Sequence, residues 1–234
     1  MSLDKSTLVR KMFGDIASRY DFLNNLLSFG LDPSWQAFAA AKCCPDSSGL
    51  VLDLATGTGN MARDITHKLR PIQVVGLDFS PEMLAQARQK LNKHPSEPIE
   101  LVLGDALNLP FPRGTFDSVT IGYALRNVTN LEHLFKEMVR VLKASGRAVL
   151  LELTRPHSPL FRRFYSLYLC QIIPRVGSLI SGNQAAYTYL PESILKFPPP
   201  EEVAEIMRRA GFKRVEIHRL SLGAATVFVA TKEY

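Results

Sequence analysis

Leu50-Val-Leu-Asp-Leu-Ala-Thr-Gly-Thr-Gly-Asn60 changes character twice within a few residues. Leu50, Val51, Leu52 and Leu54 form an apolar run fit for a strand buried on both faces. Thr56 to Gly59 interrupt that run, and Asn60 to Leu69 has helical spacing. The stretch therefore predicts a strand, a Gly-rich turn and a helix. Gly57 and Gly59 tolerate positive φ and let the backbone approach a ligand closely, so the turn reads as a small-molecule site.

Gly57-x-Gly59-x-x-Ala62 formally satisfies a dinucleotide fingerprint, but Asp53 argues against that ligand. A carboxylate at the strand end would repel a pyrophosphate seated on the helix N-terminus. It suits a cationic ligand instead. S-adenosylmethionine carries a sulfonium and an ammonium, so Asp53 can attract its amino-acid end directly or through water.

The rest of the chain extends this unit. Ile72 to Leu77 is a second buried strand ended by Asp78, an acid placed to take both ribose hydroxyls. Ser80-Pro81-Glu82 is an N-cap, first helical position and first-turn acid. Glu100 to Leu103 is a third strand, followed by Gly104-Asp105-Ala106, where an acceptor and a backbone N–H can read an adenine edge. Phe116 to Ile121 and Arg147 to Leu153 are further strands around a helix at Leu131 to Leu142. After an insertion, Glu201 to Ala210 is a helix closed by Gly211. Val215 to Leu220 and Thr226 to Thr231 form a terminal hairpin. In a parallel sheet the three strand-end acids would share one edge, where open α/β folds bind ligands.

Upstream, apolar residues from Thr7 to Ser28 recur at helical spacing, and Asp32-Pro33 reads as the N-cap and first position of a helix through Lys42. These helices should cover the site entrance. At 234 residues, 46% hydrophobic and 21% charged, the chain has the composition of one globular domain. Its parts are an N-terminal helical cap (1–45), a cofactor-binding core (46–154), a substrate or lid insertion (155–198) and a C-terminal helix with hairpin (199–234). Cys43, Cys44 and Cys170 make no C-x-x-C motif, so no metal site is expected and reduced thiols fit the cytoplasm. No signal peptide or membrane span is evident. Of the net charge of +6, much lies in 155–196, where five basic residues face the single acid Glu192. This segment lacks the aromatic–basic interleaving of a nucleic-acid module, so nucleic acid is not an expected partner. Leu160, Phe161, Phe164, Tyr165, Tyr168, Leu169 and Ile172 form a broad apolar helix face beside Arg162 and Arg163. Core packing, a wall for an isoprenoid tail and a membrane surface all remain open for it.

Several motifs together resemble the ubiquinone/menaquinone biosynthesis C-methyltransferase family, within the class I S-adenosylmethionine-dependent methyltransferases. They are Tyr20-Asp-Phe-Leu-Asn-Asn-Leu-Leu-Ser-Phe-Gly-Leu-Asp-Pro-Ser-Trp35, the Asp53–Asn60 loop, Leu125-Arg-Asn-Val128, Arg140-Val-Leu-Lys143 leading to Glu152, and Tyr187-Thr-Tyr-Leu-Pro-Glu-Ser-Ile194. The resemblance implies a three-layer, Rossmann-like α/β fold with a mostly parallel seven-stranded sheet whose last strand is antiparallel. It implies cofactor contacts from Asp53, Gly57, Thr58, Gly59, Asp78, Phe79, Asp105, Ala106 and Gly122. Arg126 and Asn127 would be catalytic, with Tyr20, Asp32, Trp35 and Tyr187 toward a lipophilic quinol. Weak peripheral contact with the inner face of a membrane fits such a substrate, and a homodimer is left open. The chain departs from the family pattern at Asp32 (usually His), Asn60 (usually Asp), Ala144-Ser145 (usually Pro-Gly) and Thr154 (usually Ser).

Overall fold

Side chains alternate across strand β1 (Gly49–Leu54), which sends Leu52 and Leu54 to one face of the sheet and Val51 and Asp53 to the other. The computed structural model describes residues 12, 14, 15, 17, 20–43, 49–69, 72–175 and 184–233. Before β1 come α1 (Tyr20–Leu27) and α2 (Asp32–Ala40). The rest of the helix expected over 7–28 lies largely outside the described residues. After β1 come α3 (Asn60–Lys68), β2 (Ile72–Asp78), α4 (Pro81–Leu91), β3 (Ile99–Leu103) and β4 (Phe116–Gly122). A 3-10 turn at Leu125–Asn127 leads to α5 (Leu131–Val141) and β5 (Leu142–Leu153). Then follow α6 (Pro159–Leu167), continued by a wide turn at Tyr168–Ile172, and α7 (Gln184–Lys196), α8 (Pro200–Ala210), β6 (Phe212–Leu220) and β7 (Ala225–Lys232).

These strands form a seven-stranded sheet in the order β3-β2-β1-β4-β5-β7-β6. The first five pair in parallel, and β7 runs antiparallel between β5 and β6. Strand order reverses between β1 and β4, so their carboxyl ends open the crevice in which such sheets bind ligands.

Each face of the sheet carries its own core. Leu134, Phe135, Met138 and Val141 of α5 recur on one helix face and pack with Val203 and Met207 of α8 against Leu52, Ile121, Leu150 and Phe228. On the other face Trp35 and Ala39 of α2 and Met61, Ala62 and Ile65 of α3 cover Val51, Val149, Leu151 and Val227. A third cluster of Leu169, Ile173 and Ile194 joins the insertion helices.

Three expectations need correction. The helix at Leu131 ends at Val141, and β5 begins at Leu142 rather than Arg147, because Leu142 pairs with Phe116 before a register shift. Within that added segment Ser145 sits at φ 59, the conformation a glycine accepts most readily. Asp32 is not an N-cap: Leu31 precedes the helix with no side-chain cap, and the Asp32 carboxyl instead accepts a hydrogen bond from Gln36 Nε2 at 2.8 Å. By contrast, Ser80 caps α4 as expected, accepting from the Met83 N–H at 3.2 Å.

Candidate active site

The Gly-rich turn is held from below and from above. Gly57 and Gly59 take φ of +57 and +84, and a Cβ added at Gly57 would meet nothing nearer than 3.9 Å, so that side of the turn is open to a ligand. Beneath it, Asp78 at the end of β2 accepts the Gly57 N–H at 2.8 Å and the Ser80 N–H at 2.9 Å. Burial raises the Asp78 pKa, while the Ser80, Gly57 and Phe79 amides act to lower it. Above it, Asp21 of α1 accepts from Thr58 Oγ1 at 2.6 Å and Asn60 Nδ2 at 2.9 Å, and it pairs with Lys90 of α4. Lys90 Nζ also donates to Asn60 Oδ1 at 2.7 Å.

Asp53 is almost wholly enclosed, accepting from Thr120 Oγ1 at 2.6 Å and Thr56 Oγ1 at 2.7 Å. Desolvation is the largest influence on it and raises its pKa to about 6 against the pull of those two hydroxyls; the nearby Asp78 charge adds to the rise. Asp53, Gly57, Thr58 and Gly122 line one cleft together with Asn24, Gln36 and Tyr123. The cleft suits S-adenosylmethionine, with a buried acid for its ammonium end beside an open glycine turn, while Asp78 at the neighbouring strand end holds that turn from beneath.

A larger, mainly apolar cavity, open to solvent, adjoins this cleft. Asp32, Trp35 and Arg126 line it with Phe161, Tyr165, Tyr168, Leu169 and Ile173 of the α6 region. Asn24 and Tyr123 line both spaces, so the two meet there. Tyr123 has φ 58, an uncommon conformation for a bulky residue and one that concentrates at functional sites. Trp35 Nε1 donates to Ser221 Oγ at 3.0 Å, which ties the cavity wall to the β6–β7 turn.

Arg126 is buried against Glu152 of β5, itself fully buried. Its Nη1 donates to one Glu152 oxygen and to the Tyr123 carbonyl at 2.6 Å, and its backbone N–H donates to the other Glu152 oxygen at 3.1 Å. The turn bearing Arg126 is thus fixed by a strand two places from β1 in the sheet.

Other expected residues fall elsewhere. Asn127 is not among the residues lining the cavity, and its Oδ1 accepts from Tyr189 Oη at 3.0 Å on α7. Asp105 accepts from the Leu107 N–H at 2.9 Å and, like Gly59, Asp78, Ala106 and half-buried Phe79, is not among the cleft-lining residues. Tyr20 and Tyr187 lie on α1 and α7, but their side chains are outside the described residues. Sequence reasoning missed Asp21, Gln36, Thr120 and Tyr123. An aromatic residue directly after the Gly122 strand end was the available signal for Tyr123.

The fold and the paired spaces define an S-adenosylmethionine-dependent methyltransferase. The chain belongs to the ubiE/COQ5 methyltransferase family, whose pattern it matches over residues 1–232. It is 45% identical to the demethylmenaquinone methyltransferase of Deinococcus radiodurans, over 98% of this chain and 94% of that one. It is 44% identical to the ubiquinone/menaquinone biosynthesis C-methyltransferase UbiE of Geobacter sulfurreducens, over 98% and 90%. Among solved structures, a possible histamine N-methyltransferase from Thermotoga maritima superposes with TM-score 0.67 at 20% identity, covering 95% of this chain and all of that one. The [4+2]-cyclase SpnF superposes with TM-score 0.74 at 16% identity over 100% and 98%, so the fold alone does not fix the chemistry.

Proposed function

We propose that this chain methylates a ring carbon of a reduced polyprenyl quinone precursor, a demethylmenaquinol or a ubiquinone-precursor benzoquinol. The observation that carries the reading is the junction at Asn24 and Tyr123, where the cleft that holds Asp53 meets an apolar cavity walled by Trp35, Phe161, Tyr165 and Tyr168. Bound S-adenosylmethionine supplies an electrophilic methyl group on a sulfonium. Asp53 and Asp78 hold the donor's ammonium and ribose ends. Arg126 keeps its charge at any working pH and stabilises the phenolate that makes the ring carbon nucleophilic. The N-terminal cap and the 155–198 insertion supply the substrate walls.

Peripheral membrane contact is part of the proposal. The inner face of α6 lines the cavity, while Leu160, Phe164, Leu167 and Ile172 are exposed beside Arg162 and Arg163. Phe29, which lines the cavity and is 75% exposed, packs against Tyr168 in a tilted pair with ring centroids 4.9 Å apart. Such a surface lets a tail enter from a bilayer without crossing water. No helix among the described residues is long and apolar enough to cross a membrane. Mass analysis of the lipid quinones in a deletion strain tests the function: demethylated quinone should accumulate, and an unchanged profile would count against it.

A further inference from the structure

Asp32 and Gln36 stand one helical turn apart on α2, and each faces a different space. Asp32 lines the apolar cavity, Gln36 lines the cofactor cleft, and the hydrogen bond between them spans the junction. We infer that Asp32 is the general base of the transfer, accepting the hydroxyl proton of the substrate ring. The inference rests on the quinol reading above and adds to it the group that makes the ring carbon reactive.

The other polar side chains of the cavity are unsuited to that task. Arg126 is a permanent cation, and the acid nearest it, Glu152, is committed to its guanidinium and backbone N–H. Tyr165 and Tyr168 are held protonated by burial. Asp53 lies on the cleft side, closed in by two threonine hydroxyls. Among the described residues that line the cavity, Asp32 is the remaining acid. Among the described residues, the groups that act on its charge are the Tyr123 hydroxyl, the Gln36 amide and the Asp21 carboxylate, none of them a cation. Asp64 of α3 adds a further negative charge nearby. Desolvation is the largest influence and raises its proton affinity, which narrows the gap to a phenol and favours proton transfer. Gln36 fixes one carboxyl oxygen, and the Asp32 N–H, donating to Ser28 Oγ at 3.0 Å, fixes the backbone.

In the step the ring O–H bond breaks, its electron pair stays on oxygen, and the proton moves to Asp32. Once the ring carbon has gained its methyl group, it sheds its hydrogen to water and Asp32 returns its proton to the ring oxygen. One proton is released for each methyl group gained.

The test compares wild type with Asp32→Asn and Asp32→His, using a short-chain demethylated naphthoquinol under anaerobic conditions. Turnover is measured across pH, and S-adenosylhomocysteine binding is measured by calorimetry. Asp32→Asn should bind S-adenosylhomocysteine nearly as wild type does while its kcat near neutral pH falls by about a hundredfold or more. The deficit should shrink as alkali ionises the phenol directly. Asp32→His should recover turnover, with its acidic limb moved toward the imidazole range. If Asp32→Asn fails to bind S-adenosylhomocysteine, the pH profile of Asp32→His carries the test. A deficit in Asp32→Asn that is the same at every pH, with Asp32→His equally inactive, would assign Asp32 a structural role and overturn the inference. Wild-type protein inert toward the quinol would defeat the substrate reading instead.

Discussion

Replacing Glu152 with Ala should be among the most damaging single changes in this chain. The carboxylate is fully buried and accepts from Arg126 Nη1, the Arg126 N–H and the Leu153 N–H, the last at 2.7 Å. Without it the guanidinium, whose side chain is only 4% exposed, keeps its charge with no counter-ion. Breaking a buried pair from one side costs about 3–5 kcal/mol, a large share of the ~5–15 kcal/mol that holds a domain together. Urea unfolding followed by the fluorescence of Trp35, the single tryptophan, reads that loss. Removing both charges in Arg126→Met with Glu152→Leu should return most of the stability, since apolar replacement of a buried pair is often neutral. Turnover should stay depressed by about a hundredfold or more, the scale for losing one preorganised donor to a developing oxyanion. A Glu152→Ala protein within about 1 kcal/mol of wild type would refute the reasoning about the pair. A double variant that turns over normally would reduce Arg126 to a structural residue.

Asp53 should show a trade between stability and function. Its folded pKa of about 6 lies above the ordinary 3.8, so the folded chain holds a proton that the unfolded chain releases between those pH values. Stability is therefore lost as pH rises through this window. A gap of about two units corresponds to about 3 kcal/mol, so Asp53→Asn should stabilise the ligand-free protein by up to that amount at pH 8 and by little below pH 4, while weakening S-adenosylmethionine binding. Equal stability of the two proteins at pH 8 would contradict the buried-acid account. Asp78→Ala should lose about 1.5–3 kcal/mol of cofactor affinity by calorimetry, the range for hydrogen bonds to a charged group, and unchanged affinity would remove Asp78 from the ribose site. For the membrane surface, Leu160→Ser with Phe164→Ser should abolish flotation with anionic vesicles at low salt while leaving cofactor binding intact. Undiminished flotation would move the contact elsewhere.

The strand and Gly-rich turn at the cleft were legible because they are local. Asp53, Gly57 and Gly59 lie within a few residues of one strand end, and the β2 and β4 ends followed from apolar runs of strand length. Contacts between segments distant in sequence were less legible. Nothing around Thr58 announces that Asp21 will accept from its hydroxyl, and nothing around Arg126 fixes Glu152 as its buried partner, although both appeared in the motifs that carried the resemblance. Asp32 was misread for a related reason. Asp-Pro is a common helix start, but here tertiary packing turns the carboxyl toward Gln36 and the cavity. Asp105 followed the expected strand end, but its own turn takes up the carboxylate.

The most direct test of the central claim is to incubate the purified protein with S-adenosylmethionine and a chemically reduced demethylated naphthoquinol, then locate the added methyl group in the product by mass spectrometry and carbon NMR. The account predicts a new carbon–carbon bond at the ring position beside a hydroxyl. An O-methyl ether, or no product while S-adenosylmethionine binds normally, would contradict it.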